Sequence, residues 1–283
     1  MIFWQLQDYL STFLSIIKAK IKNRTLAENL QAKKFSYGKD ERQYLLWYDS
    51  QSKKSRNNII FFIHGGGWNK GNPEFFKFVA DYLTKLGFIT VMPAYRLVPD
   101  SHYPDQEIDI FRALKKTIEI LGISNSSKNI IIGGQSAGAH LGALLLLNNK
   151  LQQEYKIDNN IFNGFLSISG PLDFSRPCRT IRAEKYLYGF VPTAQKRKKA
   201  NPINYIYSDF NTPVFCLHGA KDPLVPKDHS IDFIEKVEIE TEADTKLDIY
   251  ENKHHSDLAD LFFEEGSANS AVKEWLLKVD NSN

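Results

Sequence analysis

The run Gly133-Gly134-Gln135-Ser136-Ala137-Gly138 sets one serine between two glycines, directly after the apolar stretch Ile130-Ile131-Ile132. A Gly-x-Ser-x-Gly segment that leaves a buried strand and enters a helix must turn sharply. Such a turn holds Ser136 in a strained backbone conformation, and the residues two positions either side must lack a Cβ. A hydroxyl presented at the tip of the turn suits nucleophilic attack. Three fixed positions arise by chance in roughly one chain in ten of this length, so the motif needs context. His64-Gly65-Gly66-Gly67-Trp68, after the apolar run Ile59–Ile63, supplies it. Consecutive glycines let a backbone aim several N–H groups at one point. Acyl transfer needs donors there, because negative charge grows on the carbonyl oxygen, and one donor is worth about 2.7–4 kcal/mol. The amides of Gly65, Gly66 and Ala137 are the candidate oxyanion hole, and His64 reads as a structural hydrogen-bonder.

These pieces need a rigid frame. Short β-rich runs recur at Ile59–Ile63, Phe88–Met92, Ile130–Ile132, Phe165–Ser169, Val214–Leu217 and Leu247–Tyr250. Between them lie helical stretches such as Pro73–Leu86, Glu107–Leu121, Ala137–Asn148, Ser230–Val237 and Ser270–Val279. Alternation of this kind predicts an α/β fold with a mostly parallel twisted sheet and helices on both faces. Tyr44–Tyr48 reads as an edge strand. Residues 175–209 break the rhythm: they contain Pro177, Pro192 and Pro202 and a concentration of Arg and Lys, and read as an insertion whose basic face is solvated.

Composition fits one domain with a full core. The chain has 283 residues, 42% hydrophobic and 24% charged, which is far from the profile of disorder. Lys and Arg number 36 against 33 Asp and Glu, so no global field points to nucleic acid. Two cysteines, Cys178 and Cys216, cannot form a multi-bridge framework, which suggests a reducing, cytoplasmic setting. No Cys/His cluster has ligand spacing, so neither metal nor cofactor is expected.

At the N-terminus Phe3, Leu6, Leu10, Phe13, Leu14 and Ile17 recur at three- and four-residue steps and draw an apolar helical stripe. Asp8, Ser11, Thr12 and Ser15 interrupt it, so no membrane-spanning run exists. The stripe is expected to dock on the protein's own surface. A second reading sets residues 2–24, with their cluster Lys18, Lys20, Lys22 and Arg24, on an anionic membrane surface.

His64–Trp68, Gly134–Gly138 and Tyr95-Arg96-Leu97-Val98-Pro99 together resemble the esterase/lipase branch of the α/β-hydrolase fold, related to hormone-sensitive lipase and its carboxylesterase relatives. Pro104, Asp109 and Asn201-Pro202 continue the likeness, which runs from about Lys39 to the C-terminus. It implies the order nucleophile, acid, histidine. His218-Gly219-Ala220-Lys221-Asp222-Pro223-Leu224-Val225-Pro226 looks like the family's acid loop, which makes Asp222 the carboxylate. Lys253-His254-His255-Ser256-Asp257-Leu258 resembles the pattern of prenylcysteine methylesterase-like members and selects His255 over His254 as the base. The implied protein is a serine carboxylesterase acting on small to medium esters, with an N-terminal helix and cap over residues 1–38 and the hydrolase domain, with a cap insertion at about 175–209, over 39–283. Trp68 is the expected substrate contact, and Phe75, Tyr95 and Tyr103 could line the same pocket. Arylformamidases and non-enzymatic hormone receptors also resemble this branch, so amide cleavage and ligand binding are the alternatives.

Overall fold

The computed structural model describes residues 2–26, 30–53, 56–122, 129–263 and 267–281. Eight strands form one sheet in the order β1-β2-β4-β3-β5-β6-β7-β8. They are β1 (Lys33–Ser36), β2 (Tyr44–Tyr48), β3 (Ile59–Ile63), β4 (Ile89–Pro93), β5 (Ile130–Gln135), β6 (Phe162–Ile168), β7 (Val214–Gly219) and β8 (Thr245–Tyr250). From β3 to β8 all pairings are parallel, while β2 runs antiparallel to both β1 and β4.

Alternation along the strands builds two cores. Phe61, Ile63, Ile130 and Ile132 point into one, and Ile60, Phe62 and Ile131 into the other. Helices α3 (Asp105–Leu121), α4 (Ala137–Leu147) and α8 (Asp228–Glu240) cover the first through Ile110, Leu114, Leu141 and Phe233. Helices α1 (Ile2–Leu26), α2 (Lys77–Lys85) and α9 (Ser267–Asp280) cover the second through Ala19, Leu26, Phe78, Trp275 and Leu276. Strands buried on both faces need near-continuous apolar runs, which is why Ile59–Ile63 has no polar residue. The short α5 (Asn149–Tyr155) follows α4, and the insertion supplies α6 (Ile181–Phe190) and α7 (Ala194–Lys199) between β6 and β7.

Two sequence expectations need correction. Lys33–Ser36, assigned to the N-terminal segment, is the true edge strand, so the sheet begins before residue 39 and Tyr44–Tyr48 lies one strand inside. Lys-Lys-Phe-Ser has no apolar run to announce it, and its conformation comes from pairing with β2. The N-terminal helix does dock, but with another face. Ser15, Ala19 and Leu26 are buried, whereas Leu10, Phe13 and Leu14 of the expected stripe face solvent. Small side chains let the helix axis approach the ring cluster of Phe76 and Phe78 closely. Asn23 fixes the contact, donating to the Phe75 carbonyl at 2.8 Å and accepting from the Phe78 amide at 3.0 Å. The side chains of Phe3 and Leu6 lie outside the described residues.

Candidate active site

In a mostly parallel sheet the loops at the carboxyl ends of the strands converge where the strand order reverses. Here the chain passes from β3 to β4 on one side and returns to β5 on the other, so that point lies between β3 and β5. Register then fixes what meets there. Ile63 pairs with Gly134, Gln135 with Ile168, and Gly219 with Tyr250. The loops after β3, β5, β7 and β8, carrying His64–Trp68, Ser136, Asp222 and His255, therefore emerge side by side.

Ser136 caps α4 with φ 53° and ψ −120°, a region that residues with a Cβ rarely adopt. Crowding enforces the turn: a Cβ on Gly138 would lie 2.0 Å from the Ile63 carbonyl oxygen. All residues of α4 are buried, which anchors the turn from behind. Ser136 Oγ lies 2.9 Å from His255 Nε2, and His255 Nδ1 lies 2.6 Å from Asp222 Oδ2. Asp222 Oδ1 accepts from the amides of Leu224 and Val225 at 2.9 and 2.8 Å. Burial alone would raise the Asp222 pKa. The facing His255 and hydrogen bonds from His218 and His255 outweigh that and hold it below the usual carboxylate range. His254 points elsewhere, with Nδ1 3.1 Å from Asp257 Oδ2.

Ala137 opens α4, so its N–H belongs to the first helical turn, which lacks intrahelical acceptors. Gly65 and Gly66 border the same cleft as Ser136 and His255. Gly66 has φ +126°, and a Cβ there would meet the Lys70 carbonyl oxygen at 2.1 Å. His64, fully buried, sits behind this loop and not in the line of reacting groups. Its Nδ1 contacts the Gly65 carbonyl oxygen at 2.8 Å and its ring stacks on Tyr95 at 4.3 Å. Burial lowers its pKa to about 3, so it stays neutral. The loop after β4 is clamped by Arg96, whose Nε and Nη2 each donate to Asp109 at 2.9 Å.

Two cavities meet at Ser136. The larger, about 820 Å³ and open to solvent, is bordered by Thr12, Ile16, Lys70, Phe75, Arg182 and His255. The smaller, about 490 Å³, runs beneath the insertion between Phe174, Leu187, Val225 and His229. Tyr186 of α6 borders both. Burial would raise its phenol, but hydrogen bonds from Arg182 and Lys70 bring its pKa below the usual value. Trp68 borders the smaller cavity while only 4% exposed, stacked on Phe190 at 4.4 Å. Phe75 borders the larger one. Tyr95 and Tyr103, expected beside them, belong to the core: Tyr103 packs against Phe190 and donates to the Lys199 carbonyl. Tyr186 and His229 were missed in the sequence, where no motif marks them, and Leu224 lies in the acid loop but was not read as a cavity residue. Among the insertion's cations Arg176, Arg179 and Arg197 form ion pairs with Asp232, Asp228 and Glu184, whereas Arg182 borders the cleft.

Residues 46–237 match the family model BD-FAE. A probable carboxylic ester hydrolase, LipM of Mycobacterium tuberculosis, is 30% identical over 63% of this chain and 44% of its own length. Esterase LipQ of the same organism is 28% identical over 81% of this chain and 58% of its own. The chain thus spans about half the length of these two relatives. Among solved structures, esterase B from Lactobacillus rhamnosus superposes with a TM-score of 0.75 at 18% identity, covering 99% of this chain and 96% of that one. With a family match across more than half its length, and the parallel sheet that goes with it, the chain belongs to the BD-FAE family and has the α/β-hydrolase fold of the hormone-sensitive lipase and carboxylesterase branch.

Proposed function

We propose that the chain is a serine hydrolase that cleaves carboxylic esters of small to medium size through a covalent acyl-enzyme. One observation carries this reading: the unbroken line from Ser136 Oγ through His255 to Asp222, at 2.9 and 2.6 Å, opening on a cleft. His255 Nε2 takes the hydroxyl proton as Ser136 Oγ bonds to the acyl carbon. The carbonyl electron pair moves onto oxygen, where the amides of Gly65, Gly66 and Ala137 receive the charge. Collapse of this intermediate expels the alcohol, which leaves with the proton from His255. Water then attacks the acyl carbon, passes a proton to His255, and the acid departs as Ser136 regains its own. Asp222 accepts from Nδ1–H throughout, fixing the tautomer and stabilising the imidazolium.

Relatives named carboxylic ester hydrolase and esterase support the ester as the bond broken. The free thiols Cys178 and Cys216 fit a reducing compartment. The test is hydrolysis of p-nitrophenyl esters from acetate to dodecanoate, with Ser136→Ala as control and a fluorophosphonate probe on the wild type. Turnover that disappears in Ser136→Ala, with labelling of Ser136, is expected. Faster cleavage of N-formylkynurenine than of any ester would move the assignment to amides. A folded wild type that neither turns over nor labels would make the protein a binder.

A further inference from the structure

We propose that the solvent face of α1 docks on an anionic lipid bilayer, setting the mouth of the larger cavity at the membrane surface. A docked helix normally turns its large apolar residues inward. On α1 the reverse holds. Leu10, Phe13, Leu14 and Ile21 are 58%, 59%, 50% and 60% exposed, while Ser15, Ala19 and Leu26 are buried. At about 100° per residue these four fall on one stripe, roughly opposite the docked face.

The charges match a lipid surface. From Leu10 to Leu26 the helix carries Lys18, Lys20, Lys22 and Arg24 and no acidic residue. Lys20 lies along one edge of the stripe and Lys18 beyond the other, with Arg24 beside Ile21, while Lys22 turns toward the docked face; the exposed cations are in the pattern of a helix lying in the headgroup plane. Among the described residues no helix is long and apolar enough to cross a bilayer, so α1 lies along it. A second copy of the chain would bring the same cations against themselves, which disfavours self-association through this face.

Position joins this surface to the cavity. Going round α1 from the docked face, Thr12 comes first, then Ile16, then Lys20 and Phe13. Thr12 and Ile16 border the larger cavity. A bilayer on the stripe therefore stands next to the cavity entrance, and an ester partitioned into the leaflet that faces the protein enters without crossing bulk water. That last step rests on the hydrolase reading; the docking does not.

The experiment is flotation of the full chain with vesicles of phosphatidylcholine alone or with phosphatidylglycerol, at low and high salt. The variants are Phe13→Ser/Ile21→Ser and Lys20→Gln/Arg24→Gln. Ser136→Ala is run alongside, so that lipid binding and ester cleavage can fail separately. Flotation with phosphatidylglycerol vesicles at low salt is expected, with a roughly tenfold or greater loss of the bound fraction in both variants. Hydrolysis of p-nitrophenyl acetate in lipid-free buffer should not change in them, since these side chains lie outside the cavity. A wild type that never floats, or variants that float equally well, would overturn the proposal. So would a dimer in size-exclusion chromatography that the variants dissolve while vesicles are ignored.

Discussion

Thr12 on α1 and Ser256, the residue after His255, lie within hydrogen-bonding distance at 3.2 Å. A helix from the start of the chain thus holds the loop that carries the imidazole. One turn further on, Ile16 faces the same cavity. Ile16→Trp narrows that cavity without reaching the reacting groups. Its kcat/KM for long-chain p-nitrophenyl esters should fall about tenfold relative to acetate, since a few methylenes carry that much discrimination. An unchanged chain-length profile would show that acyl chains go elsewhere.

Asp222→Asn keeps the shape of the acid but loses its charge and reverses the hydrogen bond to Nδ1. On the proposed mechanism kcat should drop about 10⁴-fold while the secondary structure is unchanged. Stability should respond to acid as well. The folded pKa of Asp222 lies below its unfolded value, so its contribution is complete above the ordinary carboxylate range and is lost as pH falls toward the folded value. Urea midpoints between pH 6 and pH 3 should therefore fall less steeply in Asp222→Asn than in the wild type.

Glu107 has the opposite sign. It is buried beside Tyr103 and accepts from Asn148 at 2.8 Å, and burial pushes its pKa up to about 7. Between its unfolded value of 4.5 and about 7 the folded state holds the extra proton, so stability declines as pH rises through that window. Glu107→Gln should remove this slope and unfold at higher urea than the wild type at pH 8. Parallel pH dependences in the two proteins would refute it.

Asp109 is fully buried and receives both arms of Arg96 together with the Arg96 amide and the Gln43 side chain. Asp109→Ala leaves the Arg96 amide and Nε without their acceptor, while Asp105 still faces the rest of the guanidinium. A loss of about 3–5 kcal/mol is expected in chemical denaturation, the usual result of breaking a buried pair from one side.

Contiguity decided how legible the site was in the sequence. Ser136 and its flanking glycines, and the glycine loop after Ile63, are short segments whose spacing states a backbone geometry. Asp222 and His255 stand far from them in the chain, and only family resemblance chose between two adjacent histidines. The structure separates these by direction, His254 toward Asp257 and His255 toward Ser136. Strand β1 was invisible because pairing, not composition, makes it a strand. The docked face of α1 was misread because periodicity ranks large apolar residues first, whereas close packing of a helix on aromatic rings favours Ser15 and Ala19. Tyr186 left no trace for a related reason: its place depends on how the insertion folds back over the loops, a non-local property.

The full burial of α4 divides the molecule into a part that cannot adapt and parts that can. Eleven consecutive residues behind Ser136 are buried, so almost any change of volume there disturbs the turn that holds Ser136. Helices α1 and α6 border the cavities from outside the sheet, where Ile16, Ala183 and Tyr186 form part of their walls. On the proposed mechanism, chemistry and selectivity therefore sit on separate segments of the chain.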